Sequence, residues 1–221
     1  IGLAKLFGFE LMSNFNFPYF SRNISEFWRR WHISLSSWFR DYVYVPLGGS
    51  KVNKWRTIRN ILIIFTISGF WHGANLTFIL WGICHFMLYL LSYLFSTNRK
   101  YLSLIVAKNK KFPSFIEIVQ IVITFFLISI TWVFFRSDTV IQSFNYLVQM
   151  INKMSFPKDN RSGLIFVVLF LIFDWSNRRD ERNPFNYKNK YFRYLIYLIT
   201  LYLVFAHFRL VDLKHFIYFQ F

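Results

Sequence analysis

The side chain best placed for chemistry is His72. It stands in Ser68-Gly69-Phe70-Trp71-His72-Gly73-Ala74-Asn75, within a stretch from Asn60 to Asn98 that holds no Lys, Arg, Asp or Glu. An ionisable group in such a run is costly and tends to serve a function. Imidazole is the cheapest of them to bury, because it can lose its proton and stay neutral. Gly69 and Gly73 bracket Trp71-His72 and loosen the helix there. Asn75 offers an amide that could bond the ring. Two readings are open at this point: a general base, or a buried histidine bonded to a backbone carbonyl.

His32 is the second candidate. It falls at the edge of an apolar stripe formed by Trp28, Trp31, Leu35, Trp38 and Tyr42, which recur at steps of three and four. Arg29, Arg30, Ser37 and Arg40 lie on the other side. Aromatics opposite arginines suit a helix in the membrane interface. Asn23 followed by Glu26 predicts its start, as a capping box with Asn as the cap. Arg40-Asp41 reads as a structural pair at a helix end, with anion or carrier binding as the lesser alternative.

The remaining candidates read as structural. His85, among Cys84, Phe86 and Met87, reads as core packing. His207 and His215 lie near Arg209 and Asp212 and read as interfacial. Asp174 ends an apolar segment and is expected to cap it or pair with Arg178. Metal binding is not expected: there is no His-x-x-x-His, and Asp212 with His215 is one pair. No Gly-x-Ser-x-Gly elbow supports a serine nucleophile. Gly48-Gly49 is a turn, because no Gly-Lys-Ser/Thr follows it. The single cysteine, Cys84, excludes an internal disulfide.

Such residues need a scaffold, and the composition says which. Of 221 residues 55% are hydrophobic, 23% aromatic and 16% charged. Soluble domains carry roughly 25% charged residues. The deficit argues for an all-α, polytopic transmembrane protein with interfacial amphipathic helices. The formal charge of +16 does not mean nucleic acid: the basic residues lie in short clusters between apolar runs, as in cytoplasmic loops. Helices are predicted over 60–72, 76–96, 118–135, 139–152, 162–173 and 194–208. The first is short enough to be tilted or re-entrant. The chain opens without a Met or signal peptide, on Ile1-Gly2-Leu3-Ala4, as though cut from something longer.

The positive-inside rule places the basic clusters at 51–59, 99–111 and 178–193 in the cytoplasm. A two-helix excursion joins the first two. His72 then lies at its far turn and His32 on the cytoplasmic side, approaching one pore from opposite ends.

Glu26-Phe27-Trp28-Arg29-Arg30-Trp31-His32-Ile33-Ser34-Leu35-Ser36 and Trp38-Phe39-Arg40-Asp41-Tyr42-Val43-Tyr44-Val45-Pro46-Leu47-Gly48-Gly49 closely resemble the signature of the membrane-bound O-acyltransferase family. The branch resembled is the bacterial alginate O-acetylases. The octet around His72 resembles the family's second landmark, and Thr131-Trp132-Val133-Phe134-Phe135-Arg136 and Phe216-Ile217-Tyr218-Phe219-Gln220-Phe221 also look like that branch. The resemblance implies acyl transfer from a cytoplasmic donor, acetyl-CoA or an acyl carrier, to a hydroxyl of an exported polysaccharide. It carries His72 over as the catalytic histidine and His32 as the second histidine. Trp71, Asn75, Arg40 and Asp41 are expected to support them. It implies no bound cofactor, a bacterial inner-membrane location and the lipid bilayer as surroundings. D-alanyl and peptidoglycan O-acyl transfer share these motifs. A non-enzymatic channel or scaffold for a periplasmic acetyltransferase is the rival class. Family members have further N-terminal spans, so the expectation is that 1–221 is the C-terminal part of one longer membrane domain.

Overall fold

In the computed structural model, residues 2–102, 105–108, 110–153, 162–180 and 189–207 are described. Among them the regular structure is helical, with no strand. The chain forms two compact units, Ile1–Glu181 and Arg182–Phe221. In the second, α9 (Lys190–His207) begins four residues before its predicted start. His215, Asp212, the 216–221 tail, Arg182, Lys188 and the His207 side chain lie outside the described set.

The first unit runs α1 (Gly2–Leu6), α2 (Ile24–Arg30), α3 (Ile33–Phe39), α4 (Lys54–Trp71), α5 (Leu76–Leu94), α6 (Phe115–Arg136), α7 (Val140–Asn152) and α8 (Ser162–Asn177). A π-helical turn, Arg40–Tyr44, continues α3. Two of these helices, α5 and α6, are long and apolar enough to cross a membrane. Their outer faces stay apolar: Met87, Leu91, Ile118, Val122, Ile123 and Phe126 are exposed. Apolar surface on that scale needs a hydrocarbon solvent.

Helix starts follow local capping chemistry. Asn53 accepts a hydrogen bond from the Arg56 amide at 2.9 Å, so α4 starts six residues before the predicted 60. At 18 residues and 1.5 Å each, α4 is about 27 Å long, longer than the uncharged run alone predicts. Ser114 and Glu117 form a reciprocal capping box at the head of α6. Glu26 does not complete one at α2. Asn23 does cap the Glu26 amide at 2.7 Å, but the Glu26 carboxylate turns to Arg22. It accepts from the Arg22 amide at 2.7 Å and its guanidinium at 2.9 Å, and from Arg30 at 2.7 Å. Arg22 reaches on to Glu117 at 2.9 Å and lies over the Tyr101 ring. This buried ion network ties α2 to the head of α6. All four of its charges have a partner of opposite sign, the condition for burying ions without large cost.

The core has two joined clusters. Ile24, Phe27 and Ile128 form one; Ile61, Phe65 and Phe86 form the other. Trp28 and Tyr89 pack against both. Helices α4 and α5 meet at backbone distance. A Cβ on Gly69 would collide with the Phe78 carbonyl, and one on Gly82 with the Phe65 carbonyl. Small residues allow this approach in membrane helices. Gly82→Ala should therefore force the pair apart and cost about 1–3 kcal/mol, read as a lower thermal midpoint of the detergent-solubilised protein. Gly163→Ala, where nothing lies within 4 Å, should not lower it.

Candidate functional site

The segment expected to be one amphipathic helix is broken at Trp31-His32. Trp31 is extended and His32 left-handed, with φ 45° and ψ 55°. A loop wedged into the gap causes the break. The Asn14 carbonyl accepts from the Ile33 amide and the Asn14 side chain from Ser34, at 2.9 and 3.0 Å. On the other side, the Asn16 amide donates to the Arg30 carbonyl at 2.9 Å. Asn16 returns its own carbonyl to the Arg30 guanidinium at 3.1 Å. The loop thus supplies partners for both open helix ends. Phe15, between them, packs edge-on against Trp31, with ring centroids 4.9 Å apart. The break splits the predicted stripe. Trp28 and Trp31 pack into the core, while Trp38 and Tyr42 are exposed.

His72 ends α4. Its amide donates to the Gly69 carbonyl at 3.1 Å, and Gly73, at φ 147°, takes the chain where a side chain could not follow. Asn75 then caps α5, accepting from the Thr77 amide at 3.1 Å. Its Nδ2 donates to the Asp138 carbonyl at 2.8 Å. Both ends of the amide are therefore committed to structure, and the expected bond from Asn75 to the His72 ring is not made. The imidazole instead sits in an aromatic box of Trp71, Phe78, Trp81 and Phe135, at centroid distances of 4.8 to 6.3 Å.

The structure brings the two histidines to either side of Trp71: its ring lies 6.3 Å from His32 and 4.8 Å from His72. The His72 turn lies outside both apolar spans. Burial, then the nearby His32, holds its imidazole below the ordinary histidine range. Burial lowers His32 as well. Both shifts favour the neutral imidazole, the form that can accept a proton. The His32 Nδ1 is buried without a hydrogen-bond partner among the described residues.

A cleft of about 250 Å³ is lined by Trp28, Ser36, Phe39, Arg40, Tyr44, Ile61, Ile64, Phe65, Ser68 and Tyr89, and by neither histidine. Ser36 is one helical turn past His32, and Ser68 one turn before His72. Arg40 and Asp41 form the expected pair at 2.7 Å, both more than half exposed. Arg40 also stands at the exposed end of the cleft. Asp174 does not end its helix: α8 continues to Asn177, and Arg178 donates to backbone carbonyls instead of to Asp174.

Some partners were not readable from the sequence. His85 is fully buried and its Nε2 bonds Thr131 Oγ1 at 2.9 Å, linking α5 to α6. A hydroxyl on the next charge-free helix was the available signal. The His85 ring lies in contact with Phe27, Trp28, Phe65 and Trp81. Nearby, the indole N–H groups of Trp28 and Trp81 are buried without acceptors among the described residues.

The site can now be compared with known proteins. The sequence profile of the membrane-bound O-acyltransferase family matches residues 1–137. The chain belongs to this family. The match covers α1 to α6 and includes His32, Trp71 and His72. Among relatives, the "Probable alginate O-acetylase AlgI" of Pseudomonas aeruginosa is 42% identical over 140 residues, 63% of this chain and 25% of the relative. The "Peptidoglycan O-acetyltransferase" of Helicobacter pylori is 40% identical over 151 residues, 68% of this chain and 27% of the relative. The "Teichoic acid D-alanyltransferase" of Bacillus subtilis is 36% identical over 135 residues, 57% of this chain and 32% of the relative. The chain thus spans about a quarter to a third of these curated relatives. As in other members of this membrane family, the chain's apolar faces call for a bilayer.

The capping geometry of Asn75 yields a test. Asn75→Ala should lower stability by about 1 kcal/mol, the usual loss for an N-cap, seen as a lower thermal midpoint. The His72 ring should keep its environment, because the amide does not hold it. A shifted His72 imidazole NMR signal at unchanged stability would return Asn75 to the site.

Proposed function

We propose that this chain carries the acyl-transfer centre of a membrane-bound O-acetyltransferase, with His72 as general base. The observation that carries the reading is the His72 imidazole, boxed in by aromatics at the break between α4 and α5 and sharing Trp71 with His32. The cleft would admit the acyl arm of a cytoplasmic donor, acetyl-CoA or an acyl carrier. Arg40 would stand at its entrance, and the basic residues at 51–59 on that side. The turn at 72–75 would lie toward the opposite face of the bacterial inner membrane. An exported acceptor could reach it there, directly or through a periplasmic acetyltransferase partner. This is a polytopic arrangement, with α4 and α5 crossing out and back and α6 leading out again.

His72 accepts the proton of an acceptor hydroxyl as its oxygen attacks the acetyl thioester carbonyl. The tetrahedral adduct collapses, a C–O ester bond replaces the C–S bond, and the leaving thiolate takes the proton from His72. His32 would line the path and polarise it. The names of the alginate and peptidoglycan relatives support acetyl as the group moved. An alginate-like polysaccharide is the acceptor we favour, with peptidoglycan or D-alanyl transfer as the nearest variants.

A positioned base is typically worth about 10²–10⁴-fold in rate. In the full-length protein, His72→Ala and His72→Gln should lose transfer by that factor at unchanged membrane abundance, measured as acetyl on the exported polymer. His32→Asn should keep part of the activity, since an amide still hydrogen-bonds. Normal acetylation by an abundant His72→Ala protein would instead favour a non-enzymatic channel or scaffold.

The pH profile gives an independent check. Lowering the His72 pKa keeps the base form populated below the ordinary value of about 6.5. The wild-type rate should therefore stay level down to about that pH and fall only below it. A fall centred above neutrality would mean that His72 is not the titrating base.

A further inference from the structure

Away from the histidines, α6 and α8 enclose an open apolar groove of about 480 Å³. Its walls include Val122, Val168 and Ile172, and Phe112, Pro113 and Trp175 close one end. At that end the chain carries a dense set of cations. Lys108, Lys110 and Lys111 precede Phe112, and Arg178 and Arg179 follow α8. The Arg178 guanidinium lies over the Trp175 ring at 4.1 Å. It donates to the carbonyls of Val106, Ala107 and Lys110 at 3.2, 3.4 and 2.9 Å. The Trp175 indole donates to the Lys111 carbonyl at 3.0 Å. Arg178 therefore straps the basic loop to the mouth of the groove.

All of these partners are neutral. None of the five cations forms an ion pair with a carboxylate among the described residues. Asp174 and Asp180 share the stretch; Asp174 acts electrostatically on Tyr19, and the patch stays net positive. Lys110, Lys111 and Arg179 are exposed. A basic cluster at the end of an apolar groove between membrane helices, with a Trp at the boundary, fits an anionic lipid headgroup.

We propose that the α6–α8 groove with the Lys108–Lys111 and Arg178–Arg179 cluster is a binding site for one anionic phospholipid of the cytoplasmic leaflet. An acyl chain lies along Val122, Val168 and Ile172. The phosphate sits against Lys110, Lys111 and Arg179, while Arg178 holds the loop in place. This requires the bilayer setting but not the acyl-transfer reading, because lipid retention is measured without donor or acceptor.

The test uses the whole protein in nanodiscs of phosphatidylglycerol and phosphatidylcholine with matched chains, followed by native mass spectrometry of retained lipid. Wild type should retain phosphatidylglycerol in preference. Each cation near the surface strengthens such binding roughly fivefold. The triple variant Lys110→Gln/Lys111→Gln/Arg179→Gln should therefore lower the preference by about tenfold or more. It leaves Arg178 and its backbone bonds intact. Val122→Trp, which fills the groove without touching the charges, should also lower retention. Unchanged thermal midpoints establish that both variants are folded. Equal retention of the two lipids, or none, would overturn the proposal. So would a triple variant that behaves as wild type. Wild-type retention by Val122→Trp would reduce the site to surface attraction and overturn it. Displacement of the lipid by excess inorganic phosphate would assign the cluster to a soluble anion instead.

Discussion

The contact on which the site depends is the backbone approach of α4 to α5 at Gly69 and Gly82. Lipid gives helices no hydrophobic reason to associate, so close packing has to supply the attraction. Here it also sets an address. Gly69 lies one turn before the end of α4, and its carbonyl accepts the His72 amide. Wherever the contact fixes Gly69, it fixes His72. The same approach presses Trp81 against the imidazole. A side chain at either glycine would move the proposed base and its aromatic box together.

A second constraint acts from below. Glu26 is the buried hub that turns Arg22, Arg30 and, through Arg22, Glu117 into one network. It fixes α2 against α6, and α2 ends where His32 begins. The two histidines are thus positioned by different physics: His72 by van der Waals contact between backbones, His32 by ion pairing and loop hydrogen bonds. Both arrive at Trp71. Desolvation favours the uncharged form of both, the form that avoids the repulsion two imidazolium ions would suffer.

The apolar spans were legible because their cause is local. Charge-free runs and their caps fall within a few residues of one another, and α5 and α6 appear close to where hydropathy puts them. His72 stood out as a polar group where polarity is costly, and His32 by its place at the edge of an aromatic stripe and in the family-like motif. What stayed hidden was non-local. Periodicity from Trp28 to Tyr42 reads as one helix, and nothing within that segment forbids it. The break comes from Asn14 and Asn16, whose polar groups satisfy the interrupted helix ends. The partners of Asn75 were hidden for the same reason: its amide bonds Thr77 and, across 63 residues, Asp138, not the neighbouring His72 ring. The early start of α4 followed local capping, with Asn53 overriding the basic residues that hydropathy discounts.

The wedge at residues 14–16 has an architectural meaning. His32 occupies a backbone region that a residue with a Cβ enters at a cost, and its neighbours hold it there through bonds from a loop sixteen to eighteen residues upstream. That loop is, in effect, a mould. The geometry of the second histidine is cast by a segment that holds no catalytic group itself. Variation between relatives at such a segment would retune the site without altering a single residue of its chemistry, and grafting the Trp31-His32 motif elsewhere without its mould would restore the helix and lose the histidine's aim.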